Sequence, residues 1–145
     1  MAKKYIAKFN DEIVGTRGTK SRTYTHAVVV RRNFENDLKS AGQTHDVDRK
    51  NHAFYCEQAD DETRKYNYGE NELAQIKDFA SMTVEQYLSA VINAQIASIY
   101  ARKDRGDYDF RVPTWGGSRE LARKQLNNFT SPSYTEAHIV EVTEV

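Results

Sequence analysis

Residues 22–32 read Arg-Thr-Tyr-Thr-His-Ala-Val-Val-Val-Arg-Arg, the most β-prone run in the chain. β-Branched and aromatic side chains fit a pleated surface and lose rotamer freedom in a helix, so this run predicts a strand. Alternation sends Tyr24, His26, Val28 and Val30 to one face and Thr23, Thr25, Ala27 and Val29 to the other. Ahead of it, Tyr5, Ala7 and Phe9 alternate in an earlier strand, and Asn10-Asp11 offers a tight turn into Glu12-Ile13-Val14. Gly15 and Thr16–Ser21 read as a polar, basic loop. The N-terminal third is therefore expected to hold three antiparallel strands.

Helical spacing takes over downstream. Asn33 can cap a short helix over 33–42, with Phe34 and Leu38 on one side and Gly42 as its stop. Residues 43–69 carry the weakest pattern. His52–Gln58 is expected to be a strand around Phe54, Tyr55 and Cys56, with loops or helix ends at 59–62 and 66–69. A helix over Glu72–Met82 precedes a longer one from about Val84 to Lys103. Thr83 and Gln86 have capping-box spacing, and Leu88, Val91, Ile92, Ile96 and Ile99 form an apolar stripe. Tyr108, Phe110 and Val112 alternate in a further strand that Pro113 should end. Trp115-Gly116-Gly117 turns the chain into Ser118, the N-cap of a helix over Arg119–Asn127, and Tyr134–Val142 forms a last strand. This order predicts an α+β fold, with an N-terminal antiparallel sheet, a long central amphipathic helix and a short C-terminal helix. At 145 residues, with no repeat or linker, the chain is expected to be a single domain, 1–145. Only 39% of its residues are apolar. A thin core of that kind predicts a homo-oligomer in which the long helix contributes to the interface.

Charge is segregated. Residues 1–32 hold eight Lys/Arg against Asp11 and Glu12, 8 − 2 = +6, while the whole chain sums to zero. A basic face of this sort meets phosphates or acidic partners. Duplex binding normally goes with a domain pI above about 9; here it is 6.9, which argues against a long nucleic acid and for a compact anion. Cys56 is the single cysteine, which excludes an intrachain disulfide and suits a reducing cytoplasm. No apolar run reaches the ~20 residues of a membrane span. His45, His52 and Cys56 lack the spacing and the fourth ligand of a zinc site. There is no nucleophile elbow, Walker loop or dinucleotide fingerprint, so no enzyme and no cofactor are expected.

Two constellations fit anion chemistry. In the first, Arg22, Tyr24 and His26 project from one strand face, with Arg17 and Lys20 just before them. Cations beside a flat ring and an imidazole suit a phosphate attached to a base or ribose. In the second, Ser118 and the first-turn amides of its helix form an anion site. Arg119 and Arg123, four apart, could grip phosphates bidentately, and Trp115 could stack on a base. Each set also has a plain structural use, as a sheet edge and as a capped helix with solvated arginines.

Residues 18–30, Gly-Thr-Lys-Ser-Arg-Thr-Tyr-Thr-His-Ala-Val-Val-Val, resemble a motif of small tailed-phage proteins, and Trp-Gly-Gly-Ser-Arg-Glu-Leu-Ala at 115–122 adds to that likeness. Among characterised phage proteins of this size, the chain is similar to anti-Thoeris sponges, which sequester cyclic ADP-ribose isomers or cyclic oligonucleotides. The resemblance implies a β-sheet with C-terminal helices, assembly as dimers or hexamers, and ligand contacts from two arginines four apart, a spacing that Arg119 and Arg123 match. The resulting expectation is a phage-type anti-defence protein in the host cytoplasm that binds a small cyclic nucleotide without turning it over. The alternative is a protein–protein inhibitor of a host defence or nucleic-acid enzyme, working through the basic N-terminal sheet.

Overall fold

The computed structural model describes residues 2–61 and 68–145; of the loops or helix ends expected at 59–62 and 66–69, residues 62, 66 and 67 lie outside them. The chain divides into two compact units, one of Met1–Asp37 with Ala101–Val145 and one of Leu38–Tyr100. The fold is α+β. The first unit is built on a five-stranded antiparallel sheet of β1 (Lys3–Phe9), β2 (Glu12–Thr19), β3 (His26–Arg32), β4 (Arg111–Gly116) and β5 (Tyr134–Glu144), in the order β2-β1-β5-β3-β4. The C-terminal strand β5 thus sits at the centre, pairing with β1 on one side and β3 on the other.

Local sequence sets the turns. Asn10 and Asp11 both take positive φ, 52° and 65°, the geometry a two-residue hairpin turn needs and these residue types tolerate. The β1–β2 ladder continues to Lys3 opposite Thr19, so Gly15–Thr19 is strand where the sequence read as a loop. Composition misled there because Thr and Arg on an edge strand look like loop residues once two glycines interrupt them. Conversely, β3 begins only at His26, and residues 22–25 lie outside it. β4 likewise starts at Arg111, later than expected, and runs through Pro113 to Gly116. Proline fits inside this strand because β4 is a sheet edge, where a missing N–H costs no ladder bond.

Each sheet face carries its own packing. Val28, Val30 and Ala122 are fully buried together, with Leu126, Phe129, Tyr134, Ala137 and Ile139 against them. Ala122 and Leu126 come from α5 (Arg119–Leu126), which therefore covers this face. The register puts Ala27 opposite Trp115 and Val140, and Ala7 opposite Gly15 and Val142, so these residues share the other face. The two edge strands meet across it. A Cβ on Gly15 of β2 would stand 2.6 Å from Val112 Cγ2 and 3.4 Å from Trp115 Cζ2 of β4. Gly15→Ala should therefore overpack this contact and lower stability by about 1–3 kcal/mol. Equilibrium denaturation of the variant measures it, and a change under about 0.5 kcal/mol would show that the edges separate freely.

In the second unit, residues 46–60 form a helix, α2 (Asp46–Asp60), correcting the strand expected at His52–Gln58. Asp46 and Asp48 favour the helix N-terminus, and Asp48, His52, Tyr55, Cys56 and Ala59 are the partly buried residues at helical spacing. Tyr55 packs against Phe79 and Tyr87 with ring centroids 5.1 and 6.0 Å away. These aromatic contacts overrode the local β preference of Phe54-Tyr55-Cys56. Two more helices follow, α3 (Glu70–Ala80) and α4 (Val84–Asp104). The capping box forms reciprocally: Gln86 N–H donates to Thr83 Oγ1 (3.1 Å) and Thr83 N–H to Gln86 Oε1 (2.9 Å). At 33–42 the helix α1 (Phe34–Ala41) is capped by Asn33 Oδ1, which accepts from Asn36 N–H at 3.0 Å.

Candidate functional site

The two constellations, ninety residues apart in sequence, meet at one corner of the sheet. Thr25 N–H donates to Gly116 O at 3.0 Å, His26 pairs with Gly116 in register, and a Cβ on Gly117 would stand 3.5 Å from Thr23 O. Gly116 is more crowded: a Cβ there would meet Ser118 O at 3.2 Å and Ala122 N at 3.4 Å. The 3.2 Å approach at Gly116 is tighter than an ordinary Cβ contact, which favours glycine there. Ser118 caps the helix, its Oγ accepting from Leu121 N–H at 3.2 Å.

Cations converge on the same corner. Arg17 of β2 lays its guanidinium 5.4 Å from the Tyr24 ring centre, and Lys3 Nζ donates to Thr23 Oγ1 at 3.3 Å. Arg22 is exposed, its backbone N–H held by Thr19 Oγ1 at 3.2 Å. Arg119 and Arg123 are exposed on α5. The ion pairs seen among the described residues involve Arg32, Arg102, Arg105 and His138, and none engages this group of cations. Unpaired positive charge next to a capped helix start suits an anion.

Tyr24 itself is not free to stack. It is 7% exposed, wedged against Tyr5 (5.5 Å, edge-on) and Trp115 (6.1 Å). Trp115 is half-buried and serves first as the packing partner of Tyr24 and Gly15. Beside them lies a shallow depression of about 330 Å³ lined by Tyr5, Thr23, Tyr24, Thr25, His26, Glu141, Val142 and Glu144. His26 Nδ1 lies 2.8 Å from the Thr25 hydroxyl. Tyr5 is 2% exposed and its hydroxyl is buried with no hydrogen-bond partner in the described residues. Sequence reasoning picked Arg17, Arg22, Tyr24, His26 and Trp115 but not Tyr5, Glu141 or Glu144, whose place beside Tyr24 depends on the β1–β5 pairing.

Cys56 and His52 lie one helical turn apart, Sγ to Nε2 3.8 Å, and could be mistaken for a nucleophile and its base. His52 Nε2 is 2.8 Å from Met82 O. A carbonyl only accepts, so Nε2 carries the proton and cannot take one from the thiol. The thiol's other neighbour is Ala80 O at 3.8 Å. Among the described residues no group of three or more His, Cys, Asp or Glu is arranged to hold a metal, and no helix is long and apolar enough to cross a membrane.

No protein-family model, curated protein or solved structure matches this chain.

Proposed function

We propose that the chain binds a small phosphorylated nucleotide at this corner and holds it without chemistry. The observation that carries the proposal is the meeting of residues 23–26 with 115–118, with Lys3 and Arg17 set against Thr23 and Tyr24, two residues that line one depression. The depression is polar in a directed way. Lys3 and Arg17 touch its Thr23 and Tyr24 wall, while Glu141 and Glu144 line it from the end of β5. Phosphate oxygens suit the first wall; the hydroxyls of a ribose or the amino group of a base suit the second, since carboxylates only accept. A bare polyanion would meet repulsion from those same carboxylates. The likeness to anti-Thoeris sponges makes a cyclic nucleotide of phage-defence signalling the ligand to try first, and makes the biological role sequestration.

Calorimetric titration with cyclic ADP-ribose isomers and cyclic dinucleotides tests this, followed by chromatography of the ligand released on heating. Stoichiometric binding with chemically intact recovery is expected. Turnover at substoichiometric protein, or no binding to any nucleotide, would reject the reading. Tyr5→Phe provides an internal check. The unpartnered hydroxyl adds nothing to stability, so the variant should be as stable as wild type or slightly more so. If the ligand supplies the missing partner, its affinity falls by about three- to tenfold, corresponding to about 0.5–1.5 kcal/mol.

A further inference from the structure

Past the Gly15 contact, toward the β1–β2 turn, the first unit holds a second and larger cavity of about 630 Å³. Phe9, Glu12 and Ile13 line it from the hairpin, and Arg31, Asp109 and Phe110 from the opposite wall. The volume falls within the ~300–1,000 Å³ of small-molecule sites, far more than a lone inorganic ion needs. It shares no lining residue with the depression at the sheet corner. Arg31 here and His26 there are five residues apart on β3, roughly 17 Å at the rise of a strand.

The floor is aromatic. Phe9 and Phe110 meet with ring centres 4.8 Å apart, and Ile13, 57% exposed, adds apolar surface beside them. Above this floor stand charges left without partners. Arg31 holds its guanidinium 5.4 Å from the Phe110 ring centre. Its neighbour across the β3–β5 register is Glu136, but that carboxylate is engaged by His138, Oε1 to Nε2 3.2 Å. His138 in turn stacks on Phe9, with ring centres 4.6 Å apart. None of the ion pairs among the described residues involves Arg31, Glu12 or Asp109. The guanidinium fork fits a carboxylate through two parallel bonds, while Glu12 and Asp109 can only accept, which suits an ammonium. A phosphate would gain Arg31 and face two carboxylates.

We propose that this cavity binds a short zwitterionic peptide with an apolar side chain. Its carboxylate lies on Arg31, its ammonium faces Glu12 and Asp109, and its side chain rests on Phe9 and Phe110. Arg31 on β3 and Glu12 on β2 are three strands apart in the order β2-β1-β5-β3. Two charges so placed match the separated ends of a dipeptide better than a free amino acid, which carries both groups on one carbon.

Calorimetric titration of the full chain with leucyl-phenylalanine, its N-acetyl form, its C-terminal amide and free phenylalanine tests this. One dipeptide per chain is expected, with affinity at least about tenfold weaker for either blocked form and for the free amino acid, since each loses a charge-assisted contact. Arg31→Ala should weaken the unblocked dipeptide at least about tenfold and leave the amide, which has no carboxylate to lose, unchanged. Glu12→Gln combined with Asp109→Asn should weaken the amide and spare the acetylated form. All three side chains are exposed, so circular dichroism should match wild type. No binding of the unblocked dipeptide, or binding that survives Arg31→Ala, overturns the proposal. An Arg31→Ala loss equal for acid and amide also overturns it, because the arginine would then shape the wall without meeting a carboxylate.

Discussion

Asp37→Ala is expected to cost about 2–4 kcal/mol and to lower the melting temperature by about 10 °C. Asp37 is the hub of the first unit. Arg32 reaches it with Nε at 3.2 Å and Nη2 at 3.1 Å, and the Tyr108 hydroxyl donates to Oδ2 at 2.9 Å. The ion pair is mostly covered, with side-chain exposures of 25% and 14%. Removing the carboxylate strands one guanidinium and one buried phenol at once, which is far worse than deleting a surface pair. The upper end of the range for buried pairs is not reached because Arg32 keeps some contact with water. The variant also has an optical signature. Burial raises the Tyr108 phenol above its usual value, and the hydrogen bond and charge of Asp37 raise it further. With a raised folded value, the stability due to neutral Tyr108 is full below the ordinary phenol range and is lost as pH climbs through the folded value. In Asp37→Ala that titration should move to lower pH. A variant as stable as wild type, with unchanged phenol titration, would show the cluster to be incidental.

The partners of this hub are not legible in the sequence. Nothing near Arg32, Asp37 or Tyr108 in the sequence marks them as partners; they meet because α1 follows β3 directly and the chain returns at Ala101. Elements with a complete local signal were legible: the Asn10-Asp11 turn, the Thr83/Gln86 capping box, and Ser118 as an N-cap. Those whose identity depends on distant partners were not. The Tyr55 face was assigned to a strand until Phe79 and Tyr87 are placed against it. Thr16–Thr19 becomes strand only because Lys3–Ile6 lies alongside.

The long helix illustrates a related limit. Its stripe suggested an intermolecular face, yet Leu88 and Ile99 are buried within a single chain, and Val91, Ile92 and Ile96 are half-covered. Helical spacing reveals an apolar face without saying what covers it. The candidate site divides the same way. Arg22, His26, Ser118 and Arg119 could be read as anion-binding types, but their meeting depends on the β3–β4 register.

Replacing Arg119 and Arg123 together by alanine should weaken nucleotide binding at least about a hundredfold while the fold persists. Each charge-assisted contact contributes about 1.5–3 kcal/mol, and losing two exceeds the ~2.7 kcal/mol of a hundredfold change. Both side chains are exposed on α5, so the melting temperature should hardly move. The comparison residue must be chosen with care. Arg32 would be a poor control, since it is bound to Asp37 and its loss would destabilise the unit. Arg31 is exposed, at the far end of β3, with its guanidinium 5.4 Å from the Phe110 ring centre. Arg31→Ala should leave affinity within about twofold. Recognition of a protein partner predicts a different pattern, because a broad interface draws on the whole basic sheet and its rim charges act mainly through association rate and salt dependence. Under that reading Arg31→Ala weakens capture of the partner as much as the α5 pair does, and neither variant alters nucleotide binding, because there is none. Calorimetry of both variants at two salt concentrations separates these outcomes. An Arg119/Arg123 double variant that binds nucleotide like wild type would remove α5 from the site and leave the Arg17–Tyr24 side of the depression to account for it alone.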